Sequence, residues 1–215
     1  MPDIKTIIIY IFASIVGYLF GSIPWSLIIG KVFYNTDIRE FGSGNLGATN
    51  AGRVLGKNAA ISAGLLDILK AFIVVFALSF INKDLAAVAG LFASIGHSFP
   101  IFANFRGGKS VATNYGYIIA TSIFITHNFL IQALLPISVL IAMVLIFKMV
   151  SLGSIVSLIV ASMIALTQPN KIVSIGIVLI SLFSIWRHES NIKRILKGEE
   201  KKVGFLSKWS ISINF

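Results

Sequence analysis

The chain has 215 residues, of which 56% are hydrophobic and only 12% charged, and its formal net charge is +10. A soluble domain of this size carries about 25% charged residues, so an ordinary water-soluble globule is excluded, and so is disorder, which needs low hydrophobicity. No cysteine is present, which excludes disulfides, a thiolate nucleophile and a zinc–thiolate site. In a soluble chain the positive charge would suggest nucleic acid; here it fits basic cytoplasmic loops facing anionic lipid, with no nucleic-acid partner.

A bilayer core needs about 20 apolar residues per helix. Thr6 to Gly30 is the first uncharged run. It is too long for a signal peptide and no polar mature domain follows it. The segment Phe41-Gly-Ser-Gly-Asn-Leu-Gly-Ala-Thr-Asn-Ala-Gly-Arg53 comes next, with glycines, hydroxyls, amides and an arginine close together. Glycine lets backbone N–H groups approach a ligand and form an anion-binding nest. Arg53 adds a planar fork suited to phosphate. A flexible loop between spans is the plain alternative, and the density of phosphate-type groups argues for a ligand.

Ala59 to Ile81 is the second span and contains Asp67 and Lys70, three residues apart. Such an intramembrane pair is costly unless partnered; it neutralises itself or braces a site, with the structural role favoured. Leu85 to Phe105 is the third span, and a second polar segment runs from Gly96 to Thr113. His97 lies at the edge of the span, Pro100 breaks the helix ladder, and Arg106-Gly-Gly-Lys109 again joins flexible backbone to cations. Gly108-Lys-Ser110 is no P-loop, because Ala103 stands where the first glycine is required and no strand precedes it.

Ser110 to Phe147 lacks any Asp, Glu, Lys or Arg. That is about right for two spans, broken at His127 and Asn128. Met149 to Gln168 is the sixth span and Ile172 to Trp186 the seventh. A third polar segment, Arg187 to Lys202, follows, with His188 and Asn191 one helical turn apart. The expectation is an all-α, polytopic integral membrane protein of seven transmembrane helices, a single domain over 1–215. Fourteen Lys and Arg, Lys208 in the tail among them, fall on the side of the three polar segments, against Lys5, Lys83 and Lys171 on the other. The positive-inside rule then puts the N-terminus outside and the C-terminus in the cytoplasm.

Some chemistries have no residues to support them. No His is followed five residues later by Asp; those positions are Phe102, Gln132 and Lys193. There is no Gly-x-Ser-x-Gly elbow, and the four Asp are scattered, so neither a metal nor any other cofactor is expected.

The motifs Gly42-Ser-Gly-Asn-Leu-Gly-Ala-Thr-Asn50 with Arg53, Gly96-His-Ser-Phe-Pro-x-Phe with Phe105-Arg-Gly-Gly-Lys109 and Val111-Ala-Thr113, and His188-x-x-Asn-Ile-x-Arg194 with Gly198-x-Glu200 resemble the bacterial acyl-phosphate:glycerol-3-phosphate acyltransferase family (PlsY). Asp67-x-x-Lys70 also resembles a family feature. The resemblance implies a multi-pass enzyme of the bacterial inner membrane. It would move a fatty acyl group from acyl phosphate to the 1-hydroxyl of glycerol 3-phosphate, giving lysophosphatidic acid and phosphate. It implies catalytic roles for Ser43, Arg53, His97, Lys109, Asn191 and Glu200. Substrate-binding roles are implied for Gly44, Asn45, Gly47, Thr49, Asn50, Arg106, Gly107, Gly108, Thr113 and His188. The expected partners are the lipid bilayer, the two substrates and the soluble enzyme that makes acyl phosphate. Departures are Ser110 where the family often has Gly, Ala71 where Gly is usual after Lys70, and a tail from Val203 to Phe215.

Two repelling phosphates must be gathered, and Arg53, Arg106 and Lys109 can offset their charge. His97 is one candidate base for the hydroxyl proton; a phosphate oxygen of the acyl donor is the other. The rival functions are a small transporter of a phosphate-bearing solute and a lipid-binding scaffold. One-sided clustering of the motifs and the lack of an inverted repeat speak against transport.

Overall fold

A computed structural model describes residues 3–203. The tail 204–215, with Lys208 of the charge count, lies outside the described residues. All regular structure among them is helical. Asp3 caps the first helix, α1 (Ile4–Gly21), by accepting from Thr6 N at 2.9 Å. Pro24 has no N–H to continue the ladder, and the chain restarts as α2 (Trp25–Tyr34). Then come α3 (Ala48–Val54), α4 (Lys57–Ser79), α5 (Lys83–Ser98), α6 (Val111–Phe124), α7 (Leu135–Phe147), α8 (Val150–Leu166), α9 (Lys171–Trp186) and the short α10 (Glu189–Leu196). Asn82 and Asn170 cap α5 and α9 through side-chain oxygens.

Among the described residues, four helical segments are long and apolar enough to cross a membrane: Ile4–Tyr34, Lys57–Ser79, Lys83–Ala103 and Leu130–Phe147. The pair α9 and α10, bent by 58°, raises the number to as many as five, and α8 is a shorter apolar helix. The uncharged stretch from Ser110 to Phe147 does divide at His127, which adopts a left-handed φ of 54° between α6 and the π-helical turn Leu130–Leu134.

The bundle is held by close approach of small residues. Gly17 and Gly21 on α1 lie against the carbonyls of Ala89 and Ala93 on α5, where a Cβ would collide with backbone. This is small-xxx-small packing, in which van der Waals contact replaces a hydrophobic drive that lipid does not supply. The inner cluster joins α4, α5, α6, α8 and α9 through Val75, Ala87, Tyr117, Ile118, Ala161 and Ile177. Large side chains such as Ile8, Phe12, Leu69 and Leu182 face outward, as a lipid-facing surface requires.

Candidate active site

The first polar segment is a braced loop. Gly42 and Gly44 take φ of +63° and +67°, a conformation glycine adopts without steric cost. Asn50, buried on α3, reaches back into the loop. Its Oδ1 accepts from Ser43 N at 2.8 Å, and its Nδ2 donates to the Ile38 and Phe41 carbonyls at 3.1 and 3.2 Å. The amide therefore acts on the loop. Ser43, Thr49 and Arg53 stay exposed, and Gly44, Asn45 and Gly47 are half-buried. Below the loop, Arg39 and Lys31 meet Asp37 at 2.6 and 3.4 Å. The Arg39 hydrogen bond holds the Asp37 carboxyl well below its ordinary range.

The second segment is a tight return at the end of α5. Pro100 is followed by the 3₁₀ turn Ile101–Ala103, then by left-handed Asn104 and Phe105. Arg106 is exposed, whereas Gly107 and Gly108 are buried. Gly108 N donates to the His97 carbonyl at 3.1 Å, and the Gly108 carbonyl accepts from the Arg187 guanidinium at 3.3 Å. Ser110 sits at φ +61°, a conformation that favours glycine. The strain, about 1–2 kcal/mol, is offset by its hydroxyl, which donates to Ser94 O at 2.5 Å and lies 2.7 Å from the Ser98 hydroxyl. Thr113 is fully buried beneath this turn at the start of α6.

The third segment folds back on itself. His188 Nδ1 lies 2.7 Å from Ser184 O. Gly198 at φ +71° ends α10 and turns Glu200 inward. The Glu200 carboxylate accepts from Asn191 Nδ2 at 2.7 Å, Ser151 Oγ at 2.8 Å and Arg194 Nε at 2.7 Å. Burial alone would push this carboxyl up, but those three donors win and hold it below its ordinary value.

The second and third segments meet at Lys109. Its ammonium donates to Asn191 Oδ1, and its carbonyl accepts from Ser184 Oγ at 2.5 Å. Burial lowers the Lys109 ammonium to about 8; Glu200 opposes this, and the charges of Arg194, Arg53 and Arg187 add to it. Arg53 thus acts on Lys109 from the first segment. Three cations around one partly buried ammonium form a place for anions.

The placement of several expected residues is informative. Glu200 and Asn191 form the seat of Lys109. His97 has one ring nitrogen 3.3 Å from Asp67 Oδ1 and its other side against Gly108. Among the described residues, the side chains of Arg106 and Thr49 make no hydrogen bond or ion pair and lie exposed. Sequence reasoning passed over Ser151, Ser184 and Arg187. Arg187 directly precedes His188 and could have been included; single serines in apolar runs carry no comparable signal.

The chain was compared with known proteins. A family profile described as glycerol-3-phosphate acyltransferase matches residues 11–198. A glycerol-3-phosphate acyltransferase of Listeria welshimeri is 45% identical over 200 residues, 91% of this chain and 98% of the relative. One from Staphylococcus aureus is 39% identical over 205 residues, 89% and 96% of the two chains. Crystal structures of PlsY (YgiH), an integral membrane glycerol 3-phosphate acyltransferase, superpose on the fold at 34% identity. The glycerol 3-phosphate form has a TM-score of 0.83 and covers 93% of this chain and 98% of that one. The lysophosphatidic acid form has a TM-score of 0.80 and covers 92% and 96%.

Proposed function

Because the chain belongs to the glycerol-3-phosphate acyltransferase family, we propose that its donor is acyl phosphate and that Lys109, seated by Asn191 and Glu200, is the centre of its phosphate site. The protein is a multi-pass membrane acyltransferase acting on glycerol 3-phosphate. The observation that carries the site assignment is the junction of the second and third polar segments at the Lys109 ammonium, with the Arg53 charge of the first segment near enough to act on it.

Arg53 and Lys109 neutralise the two phosphates, with Arg106 at the rim. Ser43, Asn45, Gly47 and Thr49 supply donors from the first loop, whose turn Gly44 shapes; Gly107 supplies one from the second, where Gly108 and Thr113 shape the turn, and His188 lines the site from the third. Held side by side, the 1-hydroxyl of glycerol 3-phosphate attacks the acyl carbon. The bond from that carbon to the phosphate oxygen breaks, and phosphate departs. A phosphate oxygen of the donor takes the hydroxyl proton, so no acyl-enzyme forms. Positioning and charge neutralisation supply the rate. In favour of this proton route, the His97 ring is only 6% exposed and is occupied on both sides.

In this account the chain crosses the bacterial inner membrane seven times as one domain, 1–215. The spans are α1 with α2, α4, α5, α6, the π turn with α7, α8 and α9. The N-terminus is outside and the three segments face the cytoplasm, a topology that the fourteen-to-three distribution of Lys and Arg supports. A soluble enzyme that makes acyl phosphate would deliver it at this face, where the exposed Lys193, Lys197, Lys201 and Lys202 offer an electrostatic landing surface.

The test is turnover in detergent. Purified protein given acyl phosphate and glycerol 3-phosphate should release phosphate and form lysophosphatidic acid in equal amounts. A transporter or a scaffold would do neither, and acyl thioester replacing acyl phosphate without loss of rate would refute the donor.

A further inference from the structure

A second charged cluster lies inside the bundle, apart from the groups assigned to phosphate. Asp67 and Lys70 on α4 are 1% and 2% exposed. Lys70 Nζ is 3.0 Å from Asp67 Oδ1 and donates to the Ile23 carbonyl at 3.1 Å, in the non-helical break between α1 and α2. The same Asp67 oxygen is 3.3 Å from His97 Nδ1. On its far side the imidazole meets the glycine turn: a Cβ on Gly108 would overlap Nε2 and the two ring carbons beside it. Gly108 N also donates to the His97 carbonyl at 3.1 Å. Ring and backbone of His97 together form the floor under Gly107–Gly108, and the next residue is Lys109.

A buried ion pair needs a reason. Its desolvation commonly outweighs its attraction, and apolar residues of similar volume often replace such a pair without loss of stability. Here the carboxylate has a second partner, His97. An imidazole with Nδ1 toward a carboxylate donates its proton there and leaves Nε2 bare. That bare edge fits against a glycine Cα, where an N–H pointing the same way would meet carbon.

We infer that Asp67 is a positioning residue for acyl transfer: by fixing the His97 ring as the Nδ1–H form, it sets the height of the Gly107–Gly108 turn that presents Lys109 to phosphate. Lys70 neutralises the carboxylate and ties the cluster to the break between α1 and α2. Asp67 touches no substrate. The inference rests on the reading of this turn as a phosphate site.

The test uses the full chain in detergent. First, nitrogen NMR of the wild type with ¹⁵N-labelled histidine, assigned with His127→Gln and His188→Gln, should give His97 as the Nδ1–H tautomer at pH 7.5; an Nε2–H tautomer would overturn the inference without any variant at Asp67. Second, the double variant Asp67→Leu/Lys70→Met removes both charges and so leaves no unpaired ion. Its KM for glycerol 3-phosphate should rise about ten- to a hundred-fold, the scale of a 1 Å misplacement, with a smaller change in kcat. Adding Gly108→Ala should then cost much less than it does in the wild type. A folded double variant with wild-type KM would refute a positioning role and leave the pair purely structural. If Gly108→Ala and Lys109→Ala in the wild-type background both leave KM unchanged, the phosphate site itself is misassigned, and the inference falls with it.

Discussion

The Lys109 ammonium donates to the side-chain oxygen of Asn191, 82 residues away in sequence. The other end of that amide donates to Glu200. A primary amide is suited to this post, because it accepts from the cation on one side and donates to the carboxylate on the other. The charge proposed to bind phosphate is thereby held by a neutral neighbour and is not cancelled by it.

The position of Lys109 sets a pH limit. Burial brings its ammonium down from 10.5 to about 8. Below that pH the free enzyme carries the cation; above it the amine is neutral and attraction for the phosphates is lost. The kcat/KM for glycerol 3-phosphate should therefore fall as pH rises through about 8. A bound phosphate favours the charged form, so kcat should fall only at higher pH. Lys109→Arg, which keeps its charge, should give a lower kcat/KM that is flat between about pH 8 and 9.5. Rate profiles of the two proteins check both points; a wild-type profile flat through that range would refute the role of the amine.

Asn50 should act on binding through loop shape. Asn50→Ala removes the acceptor for Ser43 N and the donor to the Ile38 and Phe41 carbonyls. Leaving such groups unmatched costs about 1–3 kcal/mol. The expected result is a rise of about ten-fold in KM for a phosphate substrate. Asn50→Asp keeps the acceptor and loses both donor bonds, so it should fall between wild type and Ala. Initial-rate kinetics on the purified variants decide it; an Asp variant worse than Ala would point to charge repulsion of substrate instead of loop shape.

These residues differ in how openly the sequence declares them. The apolar runs and the break at His127 follow from composition, which acts locally, whereas the break at Pro24 lies unmarked inside the uncharged run from Thr6 to Gly30. The three polar segments are legible because glycine and cations inside apolar sequence have few other uses. What is not legible is the division of labour. Nothing local says that Asn50 turns inward while Thr49 turns out, or that Glu200 is spent on Asn191, Ser151 and Arg194. Those outcomes depend on which helices pack together, and the four-residue spacing of Gly17 and Gly21, which meet Ala89 and Ala93, marks a packing face without naming the helix that meets it. Ser110 shows the same limit. It is a departure in sequence, and only the carbonyl of Ser94 and the hydroxyl of Ser98 explain why serine is tolerated in a left-handed position.

Glu200 should be more sensitive to loss of shape than to loss of charge. Glu200→Gln retains an oxygen for Ser151 or Asn191 and gives up the ion pair with Arg194, whose side chain is 39% exposed. A pair exposed on one side contributes little, so a fall in kcat/KM of no more than about ten-fold is expected. Glu200→Ala leaves Asn191, Ser151 and Arg194 without their acceptor and frees Asn191 to release Lys109. A loss of about a hundred-fold or more should follow, the scale seen when a positioned donor is removed. Equal losses in both variants would mean that the negative charge itself is used in the reaction.

The last prediction concerns packing and pairs two glycines on facing helices. Gly116 on α6 lies against α4 so closely that a Cβ would collide with the Ile68 carbonyl. Backbone cannot move aside as a side chain does, so Gly116→Ala must separate the helices and should cost about 1–3 kcal/mol. Gly64 on α4 differs: its Cβ would meet only the Ala48 methyl, at 3.4 Å. Gly64→Ala fits that space and gains the backbone entropy that glycine forfeits in a helix, about 0.5–1 kcal/mol. Thermal unfolding in detergent should move down for Gly116→Ala and up, or not at all, for Gly64→Ala. Kinetic constants of the folded fraction should hold for Gly64→Ala, whereas Gly116→Ala displaces Ile68 beside Asp67 and should also raise KM for glycerol 3-phosphate. An unchanged unfolding temperature for Gly116→Ala would show that the α4–α6 crossing is not governed by this contact.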